Sequence, residues 1–334
     1  MASVVAIVVW HNSASEYWGT VFVFLASTES TTMSNQHTES KQQIVWDQAV
    51  LDKYNYSGPR YTSYPTALEF HEAFTIADYD MACSHYPDRP LSLYVHIPFC
   101  HKLCYYCGCN KVITRHAHKA DEYLDVLEHE IRQRASLLGK RTVTQLHFGG
   151  GTPTFLSEKQ ITRVMDLLRQ EFTFSSDAEI SIEVDPREIE LTVLDHLRGE
   201  GFNRLSIGVQ DFNKEVQQLV NREQDEAFIF AMVARAKELG FRSTNLDLIY
   251  GLPKQTKGSF AKTLEQVLEM QPGRLSVFNY AHMPQLFAAQ RKIKDEDLPK
   301  AEEKMAILQD TIATLTGSGY QFIGMDHFAM PDDE

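Results

Sequence analysis

The chain has 334 residues, of which 43% are hydrophobic and 23% are charged, a composition that excludes a disordered or low-complexity chain. Its formal net charge of −13 argues against a protein that binds nucleic acid over its whole surface. The five cysteines, four of them between positions 100 and 109, exclude a disulfide framework and indicate a metal site in a reducing compartment, the cytoplasm.

Residues 1–40 are expected to be a disordered or spurious N-terminal extension, with the natural start near Met33. No Lys or Arg precedes Lys41, so the basic start of a signal or transit peptide is missing. The apolar runs at 4–10 and 20–26 are far too short to span a bilayer, and no membrane association is predicted. Residues 41–90 are expected to form an N-terminal arm and a helical segment, because the Tyr-, Gly- and Pro-rich stretch 53–66 has neither helical nor strand periodicity.

The cysteine-rich stretch at 100–109 follows an alternating apolar run at 91–97 that predicts a β-strand. The C-x3-C-x2-C spacing of Cys100, Cys104 and Cys107 allows three thiolates to converge on one centre. Iron–sulfur clusters usually take four cysteines; Cys109 could be the fourth, although it lies very close to Cys107. A zinc site and free buried thiols stay open as alternatives, but structural zinc usually draws ligand pairs from two separated elements. Cys83 stands apart and is interpreted as a structural thiol.

From position 91 onward, short apolar strands alternate with amphipathic helical segments. Strands are predicted at 91–97, 144–148, 179–184, 204–209, 244–249 and 274–280, with a seventh candidate at 320–324. Helices are predicted at 120–138, 158–170, 189–200, 226–239, 260–270 and 300–316. This alternation predicts an α/β fold with a parallel sheet and right-handed crossovers, in which residues 91–334 form one domain.

Polar residues collect where the predicted strands end. Three glycines at 149–151 permit close approach of the backbone to a ligand, although tight turns use glycine too. Alternation places Ser181 and Glu183 on one face of their strand. Asp247 is an acid within an apolar run and needs a partner or a function; a paired structural carboxylate is the alternative. Residues 91–120 contain no Asp or Glu, which predicts a local positive patch that attracts anions or else a solvated basic edge.

Two motifs resemble a known family. Cys100, Cys104 and Cys107 match the CxxxCxxC signature of the radical S-adenosylmethionine (SAM) superfamily. The context at 94–110 and the run Gly-Pro-Arg-Tyr-Thr-Ser-Tyr-Pro at 58–65 resemble the oxygen-independent coproporphyrinogen III oxidases. The resemblance covers roughly residues 40 to 334. It implies a partial (β/α)6 radical SAM barrel with parallel strands and an N-terminal arm, without the family's C-terminal domain, which puts full activity of the chain in doubt.

The resemblance also implies the site residues. The metal ligands of a [4Fe–4S] cluster would be Cys100, Cys104 and Cys107, with Cys109 as a catalytic or supporting residue. SAM on the open iron would contact Tyr94, Gly150 and Glu183. A second SAM molecule would contact Tyr106, Gly151, Thr152, Gln210, Arg222, Asp247 and Ala281.

The implied reaction is radical decarboxylation of two propionate side chains of coproporphyrinogen III to vinyl groups, which gives protoporphyrinogen IX in haem biosynthesis. An unidentified electron donor would reduce the cluster, and a monomer without nucleic-acid or membrane partners is expected. The alternatives are a related radical SAM haem chaperone or methyltransferase, or a non-catalytic iron–sulfur module. The arm motif and Cys109 argue against the chaperone, which usually has an aromatic residue at that position.

Overall fold

The computed structural model describes residues 87–333 without interruption, residues 73–85, the short segments 3–7 and 23–24, and the single residues 46, 47, 49, 53 and 71. Most of the predicted N-terminal extension and of the arm at 53–66 lies outside these described residues. The division of the chain at positions 40 and 90 therefore stays a prediction.

The strands are β1 (Ser3–Ile7), β2 (Val23–Phe24), β3 (Leu91–Ile97), β4 (Phe99–Cys100), β5 (Val112–Ile113), β6 (Thr142–Gly150), β7 (Thr173–Val184), β8 (Arg204–Gln210), β9 (Ser243–Tyr250), β10 (Arg274–Asn279), β11 (Gln321–Gly324) and β12 (His327–Ala329). The helices are α1 (Ile76–Ser84), α2 (His118–Leu138), α3 (Glu158–Glu171), α4 (Thr192–Gly199), α5 (Lys214–Leu219), α6 (Glu226–Glu238), α7 (Lys257–Met270) and α8 (Ala301–Gly317). The six strands and six helices predicted between positions 91 and 316 are confirmed, with small shifts at their ends and an earlier start for β7.

The central sheet winds in one direction. Its strands β3, β6, β7, β8, β9 and β10 are adjacent in chain order, and each pairs in parallel with the next. A doubly wound sheet would reverse its strand order at a switch point, and this run contains no reversal. The predicted partial (β/α)6 barrel is therefore confirmed, and the carboxyl ends of its strands form one mouth.

The edges of the sheet depart from the parallel pattern. At one edge, β1 pairs in parallel with β3, and β2 pairs antiparallel with β1. At the other edge, the predicted seventh strand exists as β11, but it is half of an antiparallel hairpin with β12, which in turn pairs with β10. Met325 and Asp326 join the two strands with φ of 49° and 73°, the left-handed pair that a tight hairpin turn requires.

Alternation along the strands separates an apolar layer from a polar one. On β3, Leu91, Leu93, Val95 and Ile97 are at most 1% exposed and join one hydrophobic cluster with the apolar face of α2. The intervening positions point to the barrel interior, where the register aligns Tyr94, His147 and Ser181 across β3, β6 and β7. The polar residues at the strand ends consequently face the inside of the barrel.

The helices that cover the sheet have clear start signals. Ser157 and Thr256 form capping boxes at the start of α3 and α7, and Asp225 caps α6. Such caps satisfy N–H groups that would lack partners in the first turn. Within the described ranges, the helices include none that is long and apolar enough to cross a membrane.

Candidate active site

The cysteine-rich loop is tied down at both ends. Strand β4 pairs with β5 through Phe99–Val112 and Cys100–Ile113, so the loop leaves and re-enters the same short ladder. Its middle is bound to the segment after α5, because the Asn221 side chain donates to the carbonyl of Leu103 (2.6 Å). These contacts hold the thiols at the mouth of the barrel.

A cavity of about 250 Å³ opens at this mouth. Its walls include the predicted residues Cys100, Cys104, Tyr106, Cys107, Cys109, Gly150, Gly151, Thr152, Glu183, Gln210, Arg222 and Asp247. Two predicted residues do not line it. Tyr94 instead stacks on His147, and Ala281 is linked to the cavity through Gln290, whose amide donates to the carbonyls of Ala281 and Tyr106. The structure thus brings the predicted positions together, while their roles stay predictions.

The thiols of the loop have different surroundings. Burial raises the pKa of Cys100 to about 11. A hydrogen bond with Cys109 and the Lys111 ammonium lower the pKa of Cys107 to about 6, and the same hydrogen bond raises the pKa of exposed Cys109. Positive neighbours stabilise the thiolate, which is the form that binds metal.

The donor set fits an iron–sulfur cluster. Among the described residues, no three His, Cys, Asp or Glu side chains lie close enough together to hold a single metal ion. Cys100, Cys104 and Cys107 instead border a shared cavity, as ligands of a larger multi-iron group would. Clusters are held by cysteine thiolates, and a fourth iron with no thiolate of its own would face the open space of the cavity.

A buried charge cluster that the sequence analysis missed lies against Cys104. Asp185 follows β7 and accepts hydrogen bonds from the guanidinium groups of Arg187 (2.6 Å) and Arg222 (3.2 Å). Burial alone would raise the pKa of Asp185, but the two cations outweigh burial and hold it well below the usual range. The sequence analysis did not assign Asp185 or Arg187 to the site; an acid followed two positions later by a base, at the end of a predicted strand, was the available signal.

Arg222 fits only because its neighbour is glycine. Its Nη2 donates to the carbonyl of Gly208 (2.5 Å), and a Cβ on Gly208 would lie 2.7 Å from that nitrogen. Gln210 ends the same strand with φ of 67°, a left-handed conformation that is uncommon outside glycine. The end of β8 is therefore shaped around the guanidinium.

The glycine loop is packed as closely as its sequence suggests. A Cβ on Gly150, whose φ is 116°, would lie 2.6 Å from the ring of His96. A Cβ on Gly151 would lie 2.7 Å from the carbonyl oxygen of Pro98. Gly150 also donates its N–H to Glu183 (3.2 Å). The glycines therefore let β6 approach the strand that carries the cysteine loop, and they leave a carboxylate beside the backbone.

Glu183 is backed by a polar row that the sequence analysis also missed. His147 contacts Ser181 through Nδ1 (2.7 Å) and Glu183 through Nε2 (3.4 Å), and its ring stacks on Tyr94 at 5.7 Å. Burial, and secondarily the charge of Glu183, raise the pKa of Tyr94. The inward position of His147 on β6 was the signal for this row.

Asp247 lies in the cavity wall without a cation. Its carboxylate accepts hydrogen bonds from Ser206 (3.0 Å) and Asn245 (2.8 Å), and no basic side chain of the described residues forms an ion pair with it. Burial, and then the charge of Glu183, raise the pKa of Asp247 to about 6. Asp247 thus has hydrogen-bond partners on the neighbouring strand and its own strand, and the choice between a ligand contact and a paired structural carboxylate stays open.

Comparisons with known proteins agree with this geometry. A family model described as the Radical SAM superfamily matches residues 94–267, and the chain belongs to that superfamily. Its members carry a [4Fe–4S] cluster and SAM.

Within the superfamily, its relatives are oxygen-independent coproporphyrinogen III oxidases. The protein of that name from Salmonella typhimurium is 72% identical over 295 residues, which are 88% of this chain and 65% of the relative. The one from Mannheimia haemolytica is 65% identical over 144 residues, 43% of this chain and 99% of the relative. The structure of coproporphyrinogen III oxidase (HemN) from Escherichia coli, described as a radical SAM enzyme, aligns with a TM-score of 0.84 at 70% identity and covers 88% of this chain and 66% of that one. The chain thus spans about two thirds of the length of the full-length relatives that it matches.

Proposed function

We propose that this chain carries the cluster and SAM sites of an enzyme that decarboxylates two propionate side chains of coproporphyrinogen III to vinyl groups. The observation that carries the proposal is the single cavity at the barrel mouth, where three thiols meet the glycine loop and Glu183. The 72% identity to oxidases of that name supports it. Because those relatives are longer, the activity of the whole protein is part of the proposal.

In this proposal, Cys100, Cys104 and Cys107 hold the cluster. The fixed ladder of β4 and β5 and the bond from Asn221 to the loop keep their thiols in position. Cys109 supports the site by donating its backbone N–H to the Sγ of Cys107 (3.4 Å). The bound cluster and SAM supply one-electron cleavage of SAM, and thereby the abstraction of a hydrogen atom from the propionate side chain.

Glu183 is the proposed acceptor for the SAM amino group. Its carboxylate lies beside the N–H of Gly150 and against His147, so its orientation is fixed before a ligand arrives. Such preorganisation lowers the entropy lost on binding. Tyr94 is part of the same polar row, because its ring stacks on His147.

A second SAM molecule is proposed at the same barrel mouth. Its positions are Tyr106, Gly151, Thr152, Gln210, Arg222, Asp247 and Ala281. All of these positions except Ala281 line the cavity that the thiols border. Arg222 and Asp247 bring a cation and a carboxylate to its wall, which supports a polar ligand there beyond the cluster.

The basic patch proposed for the substrate carboxylates is partly engaged within the chain. Lys102 pairs with Glu188 at 2.7 Å, and Lys111 donates to the carbonyls of Cys107 and Cys109. Both line the cavity, so an anionic porphyrinogen would compete for them. The electron donor and the monomeric state stay proposals, as does the cytoplasm, which the five free cysteines favour.

The test is anaerobic reconstitution of the purified chain with iron and sulfide, followed by EPR of the dithionite-reduced protein with and without SAM. We expect a [4Fe–4S]⁺ signal that changes when SAM is added, and formation of 5′-deoxyadenosine. Cys104→Ser should lose both, whereas Cys83→Ser, at a buried cysteine away from the cavity, should keep both. A cluster indifferent to SAM, or zinc in place of a cluster, would contradict the proposal.

The substrate is tested separately with coproporphyrinogen III. We expect vinyl products and carbon dioxide in an amount that matches the deoxyadenosine formed. SAM cleavage combined with methylation, or haem binding without vinyl products, would move the chain to another branch of the superfamily.

A further inference from the structure

Two guanidinium groups donate hydrogen bonds to the sulfur of Cys104. Nη2 of Arg187 lies 3.2 Å from Sγ and Nη1 of Arg222 lies 3.4 Å from it. The side chains of Arg187 and Arg222 are only 4% and 7% exposed, so water does not screen them well. Among the described residues, no guanidinium donates to Cys100 or Cys107: the sulfur of Cys100 accepts from the Thr152 hydroxyl (3.4 Å), and that of Cys107 accepts from the backbone N–H of Cys109 and lies near the single ammonium of Lys111.

We propose that Arg187, assisted by Arg222, sets the reduction potential of the cluster by stabilising its reduced form through the Cys104 sulfur. This inference rests on the proposed function, in which Cys104 is a cluster ligand. Arg187 lies outside every set of site residues named above for SAM or the cluster.

The physical basis is the charge that reduction adds. One electron, supplied by an external reductant, converts [4Fe–4S]²⁺ to [4Fe–4S]⁺, with no bond formed or broken, and the cluster with its three thiolates becomes more negative by one charge. Hydrogen bonds to the ligand sulfurs and nearby positive charges stabilise the more negative state preferentially. In a buried site these interactions are weakly screened.

The geometry of Arg187 is specific for a sulfur acceptor. Its Nε and Nη2 form a fork with the two carboxylate oxygens of Asp185, and Nη1 donates to the carbonyl of Asn221 (3.2 Å). The second N–H of Nη2 then points to Cys104. With no sulfur there, that buried donor would lack a partner, which is unfavourable.

The local charge balance predicts the direction of each change. Arg187 and Arg222 carry two positive charges, and Asp185 carries one negative charge, so the cluster meets a net positive neighbourhood. Without the cation at 187, the positive charge of Arg222 and the negative charge of Asp185 cancel. Without the negative charge at 185, both cations act unopposed. The two changes should therefore shift the potential in opposite directions.

The experiment is an anaerobic redox titration of the reconstituted chain without SAM, in which the EPR signal of the reduced cluster is measured at each potential. We expect the midpoint of Arg187→Gln to be more negative than that of the wild type and the midpoint of Asp185→Asn to be less negative. Arg187→Lys, which keeps the charge without the fork, should fall between Arg187→Gln and the wild type. Arg163→Gln is the matched control, because it removes a cation that pairs with Asp125 and Glu128 far from the cavity, and it should not shift the midpoint.

Several outcomes separate this inference from the proposed function. If Arg187→Gln binds wild-type amounts of iron, responds to SAM and keeps the wild-type midpoint, the inference is overturned and the proposed function stands. If the wild type holds no cluster, the proposed function fails first. If Arg187→Gln does not retain a cluster, Arg187→Lys and Asp185→Asn decide the question, and wild-type midpoints in both overturn the inference.

Discussion

The two ends of the barrel both carry polar cavities, but their charges are used differently. The amino-end cavity, of about 450 Å³, is lined by Glu179, Arg204 and Asp333 among others. Arg204 pairs there with Glu179 (3.1 Å) and Asp333 (2.5 Å). At the mouth, arginines donate to a cysteine sulfur, and Asp247 has hydrogen bonds but no ion pair with a cation of the described residues. Polar residues alone therefore do not identify an active site. The more informative feature is a charged side chain that faces a cavity or a cysteine sulfur instead of an oppositely charged side chain.

The charged cluster at the amino end has a structural role. We call it the lock, and its members are Arg204, Ser243, Arg274 and Asp333. Asp333 forms ion pairs with Arg204 of β8 and Arg274 of β10, and it also accepts a hydrogen bond from the hydroxyl of Ser243 of β9. One carboxylate thus ties three neighbouring strands together. Such a cluster is needed for stability only as a whole, because removal of one member leaves the other buried charges unpaired. The predictions below set this end against the mouth, from the largest expected effect to the smallest.

The strongest contrast comes from removing a thiolate at the mouth. Cys107→Ser should reduce the iron and sulfide retained after reconstitution to near zero, because two cysteines cannot hold a cluster that three hold. The unfolding free energy of the protein without cluster should change by less than about 1 kcal/mol, since the side chain borders a cavity. Iron analysis and urea unfolding measure the two effects. A Cys107→Ser protein that still binds a full cluster would show that this thiol is no ligand.

The opposite result is expected at the amino end. Asp333→Asn removes the shared negative charge, so we expect a loss of about 3 kcal/mol in unfolding free energy, as for other broken buried pairs. Urea unfolding measures the loss, and the SAM-dependent EPR signal should be unchanged. A variant that keeps wild-type stability would mean that the cluster is not a lock, and the comparison between the two ends would fail.

The mouth acid, Asp247, should make the stability of the protein depend on pH. Asp247 has its pKa raised to about 6 in the folded protein, against about 3.9 in the unfolded chain. The folded state therefore holds a proton that the unfolded state has released between pH 4 and 6, and stability falls as pH rises through that window. The loss amounts to at most about 3 kcal/mol, at 1.36 kcal/mol per pKa unit.

Asp247→Asn removes this loss. Urea unfolding at pH 4 and pH 7 should show the variant gaining on the wild type as pH rises, while both share the contributions of all other groups. Equal pH dependence of the two proteins would mean that Asp247 is ionised at an ordinary pKa in the folded protein.

The sequence predicted the frame of the fold and the chemistry of the loop. Periodicity located the strands and helices, and cysteine spacing located Cys100, Cys104 and Cys107. It did not predict that β11 turns back, because alternation of apolar residues carries no strand direction and the deciding signal is the turn at Met325 and Asp326.

The charge cluster at the mouth was harder to find. Arg187 meets Cys104 across 83 positions of chain, and Arg222 meets Asp185 across 37, so no local pattern links them. The contacts of the glycine loop were only partly predicted, for the same reason. Close approach of its backbone to a ligand was predicted from composition, whereas its contact with His96 depends on how β3 and β6 pack.

The smallest effect is expected on the helical surface, and it calibrates the others. Arg163 of α3 pairs with Asp125 and Glu128 of α2 at 2.6 Å each, a geometry as close as that of the buried pairs. Its side chain is 34% exposed and that of Asp125 is 70% exposed, so solvent screens the attraction. Arg163→Gln should therefore lower the unfolding free energy by only about 0.5–1 kcal/mol in urea unfolding. The difference should shrink in roughly 0.5 M salt, because dissolved ions screen the attraction between exposed charges. The Asp333→Asn loss should persist at that salt concentration because its partners are buried. If both variants lose the same free energy with the same salt dependence, burial does not distinguish the lock from a surface pair, and the distances alone would have predicted the result.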